Sequence, residues 1–137
     1  MPGFHAMAEQ KGLNRALALL GPLEGRIMRA IWSGKVDERF VVRDIQEHMP
    51  ELAYTTVMTT LMRLAQKGLL HARPVPQQRA HEYRLALTPD DFLTRASRHD
   101  TEQLVRRYGQ AALAAFAAQI DGLNPEQRKR LRELGKQ

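Results

Sequence analysis

The stretch Leu52–Leu70, LAYTTVMTTLMRLAQKGLL, decides the fold of this chain. Val57, Leu61 and Leu64 recur at helical spacing, so they predict an amphipathic helix with one apolar stripe that packs against a core. Gly68 predicts the helix end, because a glycine just past the last turn adopts a left-handed conformation without strain. The remaining candidates for function along the stretch carry hydroxyl or basic groups: Tyr54, Thr55, Thr56, Thr59, Thr60, Arg63 and Lys67.

The polar side of this helix lacks acidic residues, whereas an ordinary solvated helix mixes both signs of charge. From Leu52 to Ala86 the chain has five basic side chains and one acid, Glu82. Threonine lowers helix stability slightly, so four threonines in one helix require a reason. Either they are tolerated on a surface, or their short hydroxyls let the helix approach DNA and bond phosphates or base edges. The helix alone leaves both interpretations open.

The segments before this helix favour the DNA interpretation. Pro22 suits the first position of a helix, and the apolar repeat that follows it ends near Ser33 and Gly34. A second, shorter helix is predicted from Val42 until Pro50 stops it. A short helix joined to a longer one by a few residues is the helix-turn-helix arrangement.

A hairpin is predicted after the Thr-rich helix. Leu70–Val75 and His81–Leu87 read as strands, and the connection between them carries Arg79. Three helices followed by a hairpin predict a mainly α fold, a winged helix-turn-helix with a small β-hairpin. The hairpin tip, or wing, of such a domain lies along the DNA backbone or minor groove, where phosphates attract a cation such as Arg79.

Three amphipathic helices are predicted beyond the hairpin, starting near Thr88, Gln110 and Asn124. One alternative is that they fold back on the winged domain as extra core. They are too small to hide much apolar surface by themselves, and two-fold dimers are the commonest oligomers, so we expect them to pair with a second chain. Residues 1–19 are predicted to be a flexible arm, with room for a turn of helix near its end. Residues 20–87 are predicted to be the winged domain and 88–137 the helical dimerisation region. The expected dimerisation residues are Phe92, Leu93, Leu104, Val105, Tyr108, Leu113, Phe116, Ile120, Leu131 and Leu134.

Composition narrows the class of protein. A formal net charge of +6 favours a polyanionic partner. The chain has no Cys, which excludes disulfides and thiolate metal sites. No apolar leader or stretch of membrane-spanning length is present, so a cytoplasmic protein with no membrane contact is expected.

Other function classes find less support in the sequence. The candidate nucleophiles, Ser33 and Ser97, lie in no catalytic motif, and no phosphate-binding loop is present, so no enzyme activity and no cofactor are expected. A histidine-based metal-responsive regulator is an alternative, with His71 and His81 facing each other across the hairpin, but the histidines lack helical ligand spacing and no metal is assigned. A winged helix used only for protein contacts is a further alternative.

The chain resembles the penicillinase-repressor family, also called BlaI/MecI/CopY, over roughly residues 20–134. The resemblance rests on Leu20–Trp32 (LGPLEGRIMRAIW), Val42–Ile45 (VRDI), Leu52–Leu70 and the hairpin run RAHEY. It implies a homodimeric repressor of transcription that binds an operator of two-fold symmetry in double-stranded DNA. Thr55, Thr56, Thr59 and Arg63 would then contact DNA from the recognition helix, and Arg79 from the wing.

Two departures from the family pattern bear on how repression is relieved. The copper-responsive branch ends in a Cys-rich metal motif, which a chain without Cys cannot form. The β-lactam branch is cut at an Asn-Phe bond, and the nearest matching position here is Ala115-Phe116, which has the Phe but lacks the Asn. The sequence therefore predicts release without scission at that bond, by an unknown inducer or partner protein.

Overall fold

The computed structural model describes residues 11–78 and 80–136. The described chain begins in a helix, α1, that covers residues 11–18. The remaining elements, in chain order, are α2 (Pro22–Trp32), β1 (Arg39–Phe40), α3 (Val42–His48), α4 (Tyr54–Gln66), β2 (Leu70–Pro74), β3 (His81–Leu85), α5 (Pro89–Tyr108), α6 (Gln110–Asp121) and α7 (Pro125–Leu134). This order confirms the predicted fold class, a mainly helical chain with a winged helix-turn-helix.

The chain divides into two compact units, with the boundary between Arg95 and Ala96. The boundary lies inside α5, eight residues after the predicted one at residue 87. The first unit extends beyond the hairpin because Trp32 and Phe92 pack together, with ring centroids 6.2 Å apart. The Trp32 indole also donates a hydrogen bond of 2.9 Å to the carbonyl of Leu87.

The core of the first unit is formed by apolar side chains from its helices and from the inner face of its sheet. α4 contributes Val57, Leu61 and Leu64, all fully buried, as its apolar repeat predicts. The largest fully buried side chains are Tyr83, Phe40, Ile27, Met28, Ile45, Leu61, Leu64, Leu69 and Val57. Burial on this scale fixes α4 to the domain by one side and leaves its other side to solvent.

The sheet has three antiparallel strands in the order β1-β3-β2. The hairpin of β2 and β3 is the predicted wing, whereas β1 is only two residues long and had no sequence signal beyond a packed Phe40. Phe40 lies opposite Tyr83, and their rings stack with centroids 6.0 Å apart. Burial of this aromatic pair holds β1 against the hairpin.

The part of the predicted flexible arm that the structure describes differs from the expectation. Residues 11–18 are helical, and Ala16 is completely buried in the core of the first unit. The small alanine side chain lets α1 approach that core closely. Residues 1–10 of the predicted arm lie outside the described residues.

Phe92 and Leu93 were predicted to lie at the dimer interface, and the structure shows that this prediction is wrong. Phe92 is 8% exposed and belongs to the core of the first unit, with Leu93 packed against it. The apolar spacing at the start of α5 therefore serves the chain's own core, which sequence periodicity cannot distinguish from an interface between chains.

The second unit leaves large apolar side chains exposed. Six of the predicted dimerisation residues are 40–58% exposed, and we call them the exposed apolar set: Leu104, Tyr108, Leu113, Ile120, Leu131 and Leu134. Val105 and Phe116 are half-buried. α7 starts as predicted, with the Asn124 side chain accepting a 2.8 Å hydrogen bond from the backbone N–H of Gln127.

Candidate nucleic-acid interface

The outward side of α4 presents hydroxyl and basic groups. Thr55, Thr56, Thr59 and Arg63 are all exposed, and Tyr54 is exposed at the first turn. The three threonines and Arg63 line a shallow concavity of about 290 Å³. Leu23 and Thr60 complete its wall. The structure thus brings the predicted helix contacts together on one open surface.

Thr60 was also predicted to contact DNA, and its position corrects that prediction. It is 5% exposed, and its hydroxyl donates a 2.8 Å hydrogen bond to the backbone carbonyl of Thr56. A threonine hydroxyl bonded one turn back along its own helix is satisfied internally. Thr60 therefore faces the core and offers DNA no free donor.

Lys67 was predicted to contact DNA, but the structure pairs it with an acid from another helix. Its ammonium lies 2.9 and 2.8 Å from the two carboxylate oxygens of Glu24, a residue of α2. Inspection of α4 alone could not find this acid, because α2 brings it from 43 positions away. Arg63 has no ion-pair partner among residues 11–78 and 80–136.

Two exposed residues of α4 were missed by the sequence reading. Met62 is 43% exposed, and Gln66 is exposed at the last turn. Met62 lies seven residues after Thr55, and Gln66 lies seven residues after Thr59. Residues at this spacing lie on the same face of a helix, so Met62 and Gln66 belong to the exposed side of α4. Their helical spacing predicts exposure, but methionine is an apolar residue type that is expected in the core.

A further ion pair lies at the start of α4. The Arg26 guanidinium of α2 donates a hydrogen bond to the carboxylate of Glu51, three residues before α4 begins. This hydrogen bond is the main reason that the pKa of Glu51 lies below its ordinary value. α2 therefore contacts both ends of α4, with Arg26 at one end and Glu24 at the other.

The structure describes the whole wing hairpin except Arg79, the residue predicted to contact DNA. β2 and β3 pair from Leu70 opposite Leu85 to Pro74 opposite His81, and Gln77 in the connecting turn has a φ of 65°. Arg79 lies outside the described residues, so the predicted wing contact remains a prediction.

The histidine pair of the metal-responsive alternative is not formed. His71 lies opposite Arg84, and His81 lies opposite Pro74, so the two imidazoles do not face each other across the hairpin. Within residues 11–78 and 80–136, no cluster of three or more His, Asp or Glu side chains is placed to hold a metal ion.

The second unit has a small apolar concavity of about 280 Å³. Its walls come from the end of α5 and the first half of α6: Leu104, Tyr108, Ala111, Ala112, Ala115 and Phe116. The bond between Ala115 and Phe116 lies in the interior of the α6 helix, Gln110–Asp121. A protease would have to unwind α6 before it could reach this bond.

Comparison with known proteins decides the family. A family model described as penicillinase repressor matches residues 20–137. The chain belongs to the penicillinase repressor family. The match begins at α2 and includes the whole wing and all of α5 to α7, which confirms the resemblance found in the sequence.

Curated relatives of the chain include the transcriptional regulator BlaI from two strains of Mycobacterium tuberculosis. The chain is 43% identical to each over 70 residues, which are 49% of this chain and 48% of the relative. The chain thus spans about half the length of the curated relatives it matches.

Solved structures similar to this chain include MarR and the transcription regulator MepR. Wild-type MarR from E. coli has a TM-score of 0.43 at 16% identity, covering 96% of this chain and 88% of that one. MepR from Staphylococcus aureus has a TM-score of 0.41 at 16% identity, covering 97% and 92%. In the described part of this chain, no helix is both long enough and apolar enough to cross a membrane.

Proposed function

We propose that this chain is a sequence-specific repressor of transcription that binds operator DNA as a homodimer. The observation that carries the proposal is the two-sided α4, buried along Val57, Leu61 and Leu64 and exposed along its threonines and Arg63. A helix anchored by one side can enter the major groove with the other, where hydroxyls and a guanidinium bond base edges and phosphates. A protein that acts on the operator works in the cytoplasm, beside the chromosome.

The contacts have different roles in this proposal. Arg63 is free of ion pairs within the described chain, so its guanidinium is available for bidentate bonding to a guanine or a phosphate. Thr55, Thr56 and Thr59 keep the backbone of α4 close to DNA because their side chains are short. Arg79 at the wing contributes attraction that does not depend on sequence.

The exposed apolar set supports the homodimer. Large apolar side chains that are roughly half exposed favour contact with another surface, and closed two-fold dimers are the commonest arrangement. Two copies of α4 related by a two-fold axis would read an operator of the same symmetry, with half-sites about one helical turn, 10 to 10.5 base pairs, apart.

The main alternative is a winged helix that binds only protein. Such a module would present an acidic or apolar outer side on its third helix, whereas the outer side of α4 carries threonines and Arg63. Met62 is the single large apolar side chain of α4 that is exposed apart from Tyr54. The observed surface therefore favours nucleic acid over protein.

Salt dependence tests the DNA proposal. A dimer that places Arg79 of each protomer on the backbone neutralises at least two phosphates, so the log-log slope of affinity against salt should be about −1.8 or steeper. Fluorescence anisotropy on DNA from around the protein's own gene would measure the slope. A slope near zero would refute DNA binding by this surface.

Sedimentation tests the dimer separately. The full chain should sediment as a dimer at micromolar concentration, and replacing Leu113 and Ile120 with Gln should yield a folded monomer. The matched control replaces Gln110 and Gln119 of the same helix with Ala, which should leave the dimer intact. A wild-type chain that sediments as a monomer would contradict the proposal.

A further inference from the structure

The outer face of the sheet carries a row of three basic residues that the recognition-helix proposal does not use. In the antiparallel register Arg39 of β1 lies opposite Arg84 of β3, and Arg84 lies opposite His71 of β2. Neighbouring strands are about 4.8 Å apart, so three basic side chains stand side by side. All three are exposed, and we call them the basic row.

The direction of the row follows from strand alternation. Phe40 and Tyr83 are adjacent in sequence to Arg39 and Arg84, and both aromatic side chains are buried against the core. Successive side chains of a strand point to opposite faces of the sheet. The basic row therefore points away from the core of the domain.

The row is unfavourable for folding on its own. Like charges directly opposite each other on neighbouring strands destabilise a sheet. Neither Arg39 nor Arg84 forms an ion pair within residues 11–78 and 80–136. Arg73 and Glu82 are the next two residues that lie opposite each other on the same face of the hairpin. They carry opposite charges and form an ion pair of 3.1 Å, which avoids such repulsion.

We propose that the basic row binds the sugar-phosphate backbone of duplex DNA outside the base pairs that α4 reads. Guanidinium groups match phosphate oxygens in a bidentate geometry, and a phosphate placed between Arg39 and Arg84 relieves their repulsion. β2 and β3 are the two arms of the wing hairpin, and the row crosses them near the ends farthest from the connecting turn. This inference rests on the proposed function and adds a contact with flanking DNA to it.

The test compares wild type with the double variant R39Q/R84Q on two duplexes. One duplex ends at the footprint of α4 and the wing, and the other extends it by about one helical turn, 10 base pairs, on each side. On the long duplex the double variant should bind about tenfold or more weakly, with a salt slope flatter by about 1.8 per protomer. On the short duplex the two proteins should bind alike.

A charge-matched control separates local contact from net charge. K129Q/R130Q on α7 removes the same two charges from an exposed helix and should keep the wild-type preference for the long duplex. R39Q/R84Q should melt at the wild-type temperature or above it, because the variant removes a repulsion. A melting temperature below wild type would show that the two arginines stabilise the sheet and would overturn the proposed repulsion.

Two further outcomes would overturn the inference. Equal slopes for wild type and R39Q/R84Q on the long duplex would show that the row does not contact flanking DNA. An equal loss on single-stranded DNA of the same length would show attraction to any polyanion. Failure of the proposed function itself has a different signature, because wild type would then bind neither duplex in a salt-dependent manner.

Discussion

The guanidinium of Arg95 donates a hydrogen bond to the backbone carbonyl of Lys67, which joins α5 to the end of α4. The same guanidinium lies over the ring of Phe92, 5.8 Å from its centroid. It also fills the space beside Gly68, where any β-carbon would overlap it. A positive charge at the C-terminal end of a helix is favourable, so Arg95 caps the helix that we propose reads DNA.

Gly68→Ala should destabilise the first unit. Gly68 has a φ of +80°, where an alanine costs about 1–2 kcal/mol, and the added methyl would also displace Arg95. We expect a lower melting temperature and weaker discrimination between operator and random DNA. Gly122→Ala is the matched control, since Gly122 caps α6 in an ordinary right-handed conformation. Equal melting temperatures for the two variants would contradict the role of Gly68.

Glu24→Gln should strengthen DNA binding. Glu24 holds the Lys67 ammonium in an ion pair at 2.8 Å, so its neutralisation frees a cation at the end of α4. Affinity should rise on all sequences, and the salt slope should steepen by about 0.9 per protomer. Glu133→Gln on α7 changes the net charge equally and serves as the control. An identical gain in both variants would show that Lys67 has no specific part in binding.

Tyr83→Phe should reduce the decline in the free energy of unfolding at alkaline pH. Burial raises the pKa of Tyr83 above 10.0, and the nearby Tyr54 raises it further. Above pH 10 the unfolded chain loses this proton more readily than the folded chain, so stability falls as pH rises through the pKa of the folded state. Chemical denaturation at pH 8 to 11 would measure the decline, with Tyr108→Phe as the control. A decline of wild-type steepness in Tyr83→Phe would contradict this assignment.

The same substitution should cost little stability at neutral pH. The Tyr83 hydroxyl is buried and has no hydrogen-bond partner among the described residues. Removing a hydroxyl without a partner changes the free energy of unfolding by about 1 kcal/mol or less.

Release of repression should proceed without scission between Ala115 and Phe116. Ala115 lacks the polar group that an Asn-specific pocket would bind, and α6 would have to unwind first. An inducer that prefers a DNA-incompetent dimer needs only a difference in affinity between two states. The intact mass of the protein should therefore be the same in cells before and after treatment with a cell-wall antibiotic, with transcription of the target genes followed in the same cultures. A fragment ending at Ala115 would contradict this view.

Much of the fold could be predicted from the sequence because its signals are local. The apolar repeat of α4, the proline that opens α2 and the capping box of α7 each specify an element within a few residues. The boundaries held to within about two residues at those helices. β1 could not be predicted, because two residues carry no period and the strand exists only by pairing with β3.

The candidate site was less predictable because its corrections come from residues distant in the chain. Glu24 reaches Lys67 from α2, and Phe92 joins the core through Trp32. The hydroxyl of Thr60 is bonded within α4 itself, but only its burial shows that it faces inward. A pattern within one helix identifies two faces, whereas the other elements decide which residues of each face are free.

The central claim is that the outer side of α4 reads base sequence, and the effect of Arg63→Ala on two DNAs tests it most directly. The first DNA is the strongest footprinted site around the protein's own gene, and the second is random sequence of the same length. Arg63→Ala should cost about 1–3 kcal/mol on the footprinted site and much less on random DNA, while the control Arg130→Ala on α7 should change neither. An equal loss on both DNAs, or no loss on either, would contradict the account.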